Sequence, residues 1–184
     1  MEEVCLSPRE TIRITFAGDH RVGKSTFIKN NLGLSGDIES TIHPQIYSRD
    51  YVDGIKNIRF IIADLPGSRN NRLLGKSYIQ NLDALVLAFE LDDPNSFYGL
   101  GDWIYFISNL NPIVKKVPLI LLGIDKGNPV VRYSRILSFA KANGFIYIQS
   151  TIYEPLEEIY RQIINFRLSN NANCSKCLPA CVIL

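Results

Sequence analysis

Gly18, four residues, then Gly23, Lys24 and Ser25 make up the run GDHRVGKST, and residue types at this spacing suit one task, the holding of phosphate. Successive backbone N–H groups in such a loop wrap the phosphates, and the N-terminus of a following helix faces them. Lys24 then reaches the terminal phosphates as a point charge, and the Ser25 hydroxyl is a ligand for Mg²⁺. Gly18, His20, Arg21, Val22, Gly23, Lys24, Ser25 and Thr26 are the candidate nucleotide contacts of this loop. His20 and Arg21 depart from the usual form, because they put bulk where a backbone has to come close to its ligand.

A second stretch, IIADLPG, places Asp64 at the end of an apolar run with Gly67 three residues on. There an Asp can hold Mg²⁺ through water from the opposite side, and Gly67 can offer its N–H to a terminal phosphate. Asp-x-x-Gly alone is a common turn. Behind a buried strand and after a phosphate loop it becomes functional. Between the two motifs, in ESTIHP, Thr41 is the natural third Mg²⁺ ligand.

The elements that must carry these groups are legible as an alternation. Short β-rich runs occur at 12–17, 58–63, 84–89, 117–122 and 145–149, and helices are predicted near 24–32, 72–81, 94–110, 131–143 and 154–168. Near-continuous runs of Val, Ile, Leu and Phe are what strands covered on both faces require, and right-handed crossovers then put helices on each side. Pro94 followed by Asn-Ser-Phe suits a helix start, Ala-Asn-Gly at 142–144 a helix end, and YSRDYVDGIKNIRF a hairpin around Asp53-Gly54. The expected fold class is α/β, a mostly parallel sheet with helices on both faces. IRITFA delivers Gly18 to the carboxyl end of a strand, and KSTFIKNN opens a helix, which is the context the phosphate loop needs.

The chain has 184 residues, 46% of them apolar, enough for one well-buried domain and too few for two. Residues 1–10 read as a flexible N-terminus, 11–168 as the domain and 169–184 as a disordered tail, since SNNANCSKC has no periodicity. Twenty Lys and Arg against eighteen Asp and Glu leave +2, without a basic run, so a nucleic-acid partner is not expected. There is no charged-then-apolar leader, Glu2 stands where myristoylation needs Gly, and no apolar run approaches the roughly 20 residues of a membrane span. A cytoplasmic monomer is expected. Four cysteines, Cys5 and then Cys174, Cys177 and Cys181, frame no disulfide scaffold.

With these motifs in place, the chain resembles the Ras superfamily of small GTPases and, within it, the Rab branch, over roughly residues 11–168. GDHRVGKS is similar to the Rab phosphate loop, Ser-Thr-Ile at 40–42 to its first switch and DLPG to the start of its second. SYIQNLDALVLAFELDDPNSFYGLGDWI matches, without a gap, the Rab segment that ends in a helix carrying a Trp, here Trp103. The resemblance implies a P-loop G domain with a six-stranded sheet, GTP/GDP and Mg²⁺ as cofactors, and loops 35–48 and 66–78 that change order with the γ-phosphate. It also implies effector, exchange-factor or GAP partners at those switches.

Departures from the family pattern bear on catalysis. Ser68 stands where most members have the Gln that orients the attacking water, so intrinsic hydrolysis should be slow. Arg21 replaces a usual Gly, either as an in-built finger that stabilises transition-state charge or as a solvated cation that obstructs one. With Lys24 at the phosphates, Arg21 and Ser68 are the candidate catalytic residues. The N-K-x-D stretch that reads guanine is missing from LLGIDKGNPVV, with Asn and Lys both gone. In one alignment Gly127 occupies the place of the guanine-binding Asp, and in the other Asp125 does. QSTIY at 149–153 stands where the family has E-T-S-A-K, leaving Thr151 and Ile152 near the base oxygen.

The tail, CSKCLPACVIL, fits a prenylation box at Cys181 with terminal Leu184 favouring geranylgeranyl, and Cys174 and Cys177 are candidates for palmitate. A zinc site is the rival reading of Cys-x-x-Cys, but no second ligand pair exists. His20 and His43 have no evident acid or nucleophile partner and read as surface or nucleotide-edge contacts. Trp103, Tyr105, Phe106 and Leu110 read as core packing. The function expected is a Rab-like GTPase anchored on the cytosolic face of a membrane, a guanine-nucleotide switch in vesicle trafficking or signalling. The contrasting expectation is a pseudo-GTPase that works by protein contacts, and a third, a kinase-type ATP enzyme, lacks a phosphoacceptor site and a lid.

Overall fold

The computed structural model describes residues 10–34, 40–54 and 56–175. Its six strands are β1 (Glu10–Ala17), β2 (Gln45–Asp53), β3 (Lys56–Asp64), β4 (Ala84–Glu90), β5 (Leu119–Asp125) and β6 (Ile146–Thr151). They form one sheet in the order β2-β3-β1-β4-β5-β6, parallel throughout except for β2, which runs antiparallel to β3 as the hairpin around Asp53-Gly54 predicts.

The apolar runs belong to strands buried on both sides. Val86, Ile120 and Leu122 join Ile14, Phe27 and Tyr160 in the core under the first helix, α1 (Lys24–Asn31), and the last, α6 (Glu157–Ser175). Leu85, Leu87, Phe89 and Leu121 alternate with them into a second core on the opposite face, with Leu100, Trp103 and Ile136. Against that face lie α2 (Lys76–Gln80), α3 (Pro94–Tyr98), α4 (Leu100–Leu110) and α5 (Tyr133–Asn143). The helix start at Pro94 is capped as expected, Asp93 accepting from the Asn95 N–H at 2.9 Å, and α5 ends at Gly144.

Three predicted elements take a different form. In place of a helix over 72–81 there is a 3₁₀ segment, Arg69–Gly75, whose Arg72 reaches inward to Asp19, and only then α2. The predicted 94–110 helix is divided at Gly99 into α3 and α4, though Gly99 keeps helical dihedrals and hydrogen bonds to Asn95 and from Trp103, and a Cβ there would collide with the Asp19 carboxylate. α6 begins at Glu157 and runs past Leu168 to Ser175, so 169–175 extends a helix rather than starting a disordered tail. A helix already nucleated propagates without an apolar face, since each added residue contributes a hydrogen bond. The expected flexible N-terminus lies, except for Glu10, outside the described residues, as do Cys177 and Cys181. Among the described residues no helix is long and apolar enough to cross a membrane.

Candidate functional site

β1 delivers the phosphate loop to the carboxyl edge of the sheet, where backbone geometry sets the residue types. Gly18 has φ +139°, and a Cβ there would run into the Ala88 carbonyl, so only glycine lets the loop leave β1 beside β4. Gly23, at φ +102°, opens α1, and Arg21 at φ +63° is the one non-glycine residue with positive φ among those described. A left-handed conformation at a residue with a long side chain is strained, which is why glycine is the common choice at that place. Val22 is buried under the loop.

Lys24 is folded into this loop. Its Nζ donates to the Gly18 and Asp19 carbonyls, both at 2.9 Å, and burial lowers its pKa to about 8, partly offset by the Asp64 and Asp19 carboxylates. The unfolded chain therefore holds a proton between pH 8 and 10.5 that the folded chain lacks, and the nucleotide-free protein gains stability as pH rises through that window. Phosphate binding needs the ammonium, so affinity should be flat below pH 8 and fall above it. Calorimetric titration of Mg²⁺-triphosphate should give a dissociation constant about tenfold weaker at roughly pH 9 than at about pH 7.

The three predicted Mg²⁺ ligands come together. Ser25 Oγ donates to Asp64 Oδ2 at 2.5 Å and lies 2.8 Å from Thr41 Oγ1. Asp64 is fully buried, its pKa raised by desolvation against the pull of Lys24, and its Oδ1 has no hydrogen-bond partner. An under-satisfied buried carboxylate beside two hydroxyls is a hard-oxygen donor set of the kind Mg²⁺ takes, with phosphate and water completing the octahedron. The residues thus fit the ion, Ser25 and Thr41 directly and Asp64 behind them. When bound, the ion would neutralise charge between the terminal phosphates.

Ser25 and Thr41, with Asp64 behind them, open on a cavity of about 380 Å³. It is lined by His20, Arg21, Gly23, Lys24, Ser25 and Thr26 of the phosphate loop and α1, by Ser40, Thr41 and Gly67 of the switches, and by Lys126 and Ile152. His20 Nε2 lies 3.4 Å from Ser40 Oγ, linking the phosphate loop to the first switch. A Cβ at Gly67 would collide with the backbone of Asp19 and His20, so the glycine lets the second switch lie directly on the loop. Other predicted residues are placed elsewhere. Ser68 caps the 3₁₀ segment without a side-chain bond and does not line the cavity. Asp125 turns its carboxylate to the Gly127 N–H (2.8 Å) and Gln149 Nε2 (3.3 Å). The Thr151 hydroxyl accepts from the Tyr153 N–H, and His43 is exposed.

Two sets of residues at the site escape the sequence reading. Lys126 lines the cavity and donates from Nζ to the Arg21 carbonyl (2.9 Å) and Glu90 Oε2 (2.6 Å), so, although the N-K-x-D stretch itself is missing, a lysine stands at the site. It sits one place later than the strand alignment puts it, within Asp-Lys-Gly-Asn at 125–128, and that Asp-Lys pair was the available signal. The second set is Asp19, Arg72 and Trp103. Asp19 Oδ1 accepts from Arg72 Nη2 and Trp103 Nε1, each at 2.8 Å, with the Arg72 guanidinium 4.0 Å over the indole. Trp103 is core, as expected, and also fastens the second switch to the phosphate loop, whereas Tyr105, expected in the core with it, is exposed.

A phosphate loop feeding a helix at the carboxyl edge of a six-stranded, mostly parallel sheet, with an Asp-x-x-Gly turn opposite, defines a P-loop small G domain. The sequence model of the Ras family matches residues 13–165, and the chain belongs to that family. It is a Rab-like small GTPase in kind, and such GTPases generally bind GTP or GDP with Mg²⁺. It is similar to the Ypt/Rab-type GTPase ypt7 of Schizosaccharomyces pombe, 23% identical over 88% of this chain and 84% of that one. Human Ras-related protein Rab-9B is 26% identical over 83% of each chain. The Ras and EF-hand domain-containing protein homolog of Caenorhabditis elegans is 31% identical over 73% of this chain, which covers only 21% of that longer protein.

Proposed function

We propose that the protein is a membrane-anchored GTP/GDP switch with slow intrinsic hydrolysis, acting in vesicle trafficking or signalling. The observation that carries this reading is the convergence of Lys24, Ser25, Thr41 and Gly67 on one cavity, with the buried Asp64 held behind Ser25. Those groups position and neutralise a triphosphate, but in-line attack also needs an oriented water. Ser68, too short to reach that water directly, leaves this step under-served, so the triphosphate state is long-lived and available to effectors, exchange factors and GAPs at the switch segments 35–48 and 66–78, of which 35–39 lie outside the described residues.

Single-turnover GTP hydrolysis tests the reading. Ser68→Gln should raise the rate by about tenfold if water placement is the main deficit. An unchanged rate in Ser68→Gln together with a lower one in Arg21→Ala would replace this account with Arg21 as a cis-acting finger. A chain that retains no nucleotide would instead be an interaction module.

Anchoring is proposed through geranylgeranyl on Cys181, with palmitate on Cys174 or Cys177 as the second signal, because one prenyl chain holds a membrane only marginally and Lys176 is the lone base nearby. Cys181→Ser should move the protein from the membrane to the soluble fraction of lysed cells. Retention of that variant on membranes would rule the lipid out as the anchor.

A further inference from the structure

The geometry points to a nucleotide site that grips the triphosphate and reads the base weakly, so that GTP, its 2-deamino analogue ITP and ATP bind within about tenfold of one another. This rests on the nucleotide reading above and specifies its ligand class. Guanine is told from other purines by a carboxylate that accepts from its N1–H and its exocyclic amine, since a reader of that kind is left unpaired by the wrong base.

No Asp or Glu is among the described residues lining the cavity, and the carboxylates at this corner are already engaged. Asp125 is held by the Gly127 N–H and Gln149, closing its own turn against β6. Asp92 accepts from the backbone N–H groups of Lys126 (3.3 Å) and Asn128 (2.9 Å), which holds the following loop down. Glu90 takes the Lys126 ammonium. Each is a structural acceptor, and turning any of them to a base would leave a backbone amide or a lysine unpaired.

What flanks a base here is apolar. The Lys126 stem and Ile152 both line the cavity, and the stem is pinned because Nζ is held at Arg21 and Glu90. Such a slot contacts the face of a purine and does not sense the groups on its edge, and an apolar pocket discriminates poorly between near-isosteric ligands. Affinity then comes from the phosphates, which the three nucleotides share.

The test is displacement of a ribose-labelled fluorescent GTP from the full chain in Mg²⁺ by unlabelled GTP, ITP and ATP. Inhibition constants within about tenfold of one another are expected. A preference for GTP over either competitor of about a hundredfold or more overturns the inference, and loss of that preference in Asp125→Asn would then make its carboxylate the reader. Failure of the labelled GTP itself to bind would overturn the nucleotide reading beneath it, an outcome distinct from selective binding.

Discussion

Lys24→Ala is expected to weaken Mg²⁺-triphosphate binding by about a thousandfold while leaving the nucleotide-free fold at least as stable at neutral pH. The affinity side follows from two charge-assisted contacts to the β- and γ-phosphates at about 2 kcal/mol each, which convert to roughly three orders of magnitude. The backbone amides and the N-terminus of α1 would remain, and their partial charge supplies the residual binding. The stability side follows from the lowered pKa of this buried amine, which marks its charged form as costly in the empty fold. Alanine removes that cost along with two hydrogen bonds to carbonyls of the phosphate loop. Calorimetry with GTP and thermal unfolding without it separate the two effects. Equal affinity for wild type and variant would end the nucleotide reading, and a large drop in melting temperature would mean that Lys24 is a structural clamp first.

Much of the frame is legible in the amino-acid sequence because its physical requirements are local. Strands covered on both faces need unbroken apolar runs, which is why β4 and β5 stand out in the sequence, while β1, β3 and the edge strand β6 are found from shorter apolar runs. The phosphate loop is equally local, since Gly18 and Gly23 are forced by positive φ within a few residues of Lys24 and Ser25. What stays hidden depends on distance along the chain. Asp19 meets Arg72 and Trp103 across 53 and 84 residues, and no periodicity records that the indole N–H and the guanidinium share one oxygen. The glycine at 99, where a Cβ would collide with the Asp19 carboxylate, and the inward Arg72 of the 3₁₀ segment Arg69–Gly75 both belong to that meeting. Lys126 is hidden by register, because β5 runs on to Asp125 and shifts the lysine one place beyond where a strand-anchored comparison looks.

Asp64→Asn is expected to cost about a hundredfold in Mg²⁺-dependent nucleotide affinity, the upper end for a group that orients metal ligands, and to make the nucleotide-free protein no less stable at neutral pH. Asp64 is fully buried with its pKa raised by desolvation, and Oδ1 has no partner, so the empty fold holds the carboxylate at a cost. Because the folded-state pKa lies above the ordinary value of 3.8, the folded chain binds the proton more tightly than the unfolded one. This group's stabilising contribution is full below 3.8 and is lost as pH rises through the raised value. Asn keeps an acceptor for the Ser25 hydroxyl, removes the charge and abolishes that pH dependence. The cation would shift the balance, since Mg²⁺ at Ser25 and Thr41 would add its charge to the pull of Lys24 and favour the ionised carboxylate in the loaded state. The measurement is a pair of curves, GTP affinity against Mg²⁺ concentration and unfolding free energy against pH, for both proteins. If Asp64→Asn kept full Mg²⁺-dependent affinity, the ion would not be held from this side. If it lost several kcal/mol of stability in the empty state, Asp64 would belong to the core's hydrogen bonding rather than to the metal.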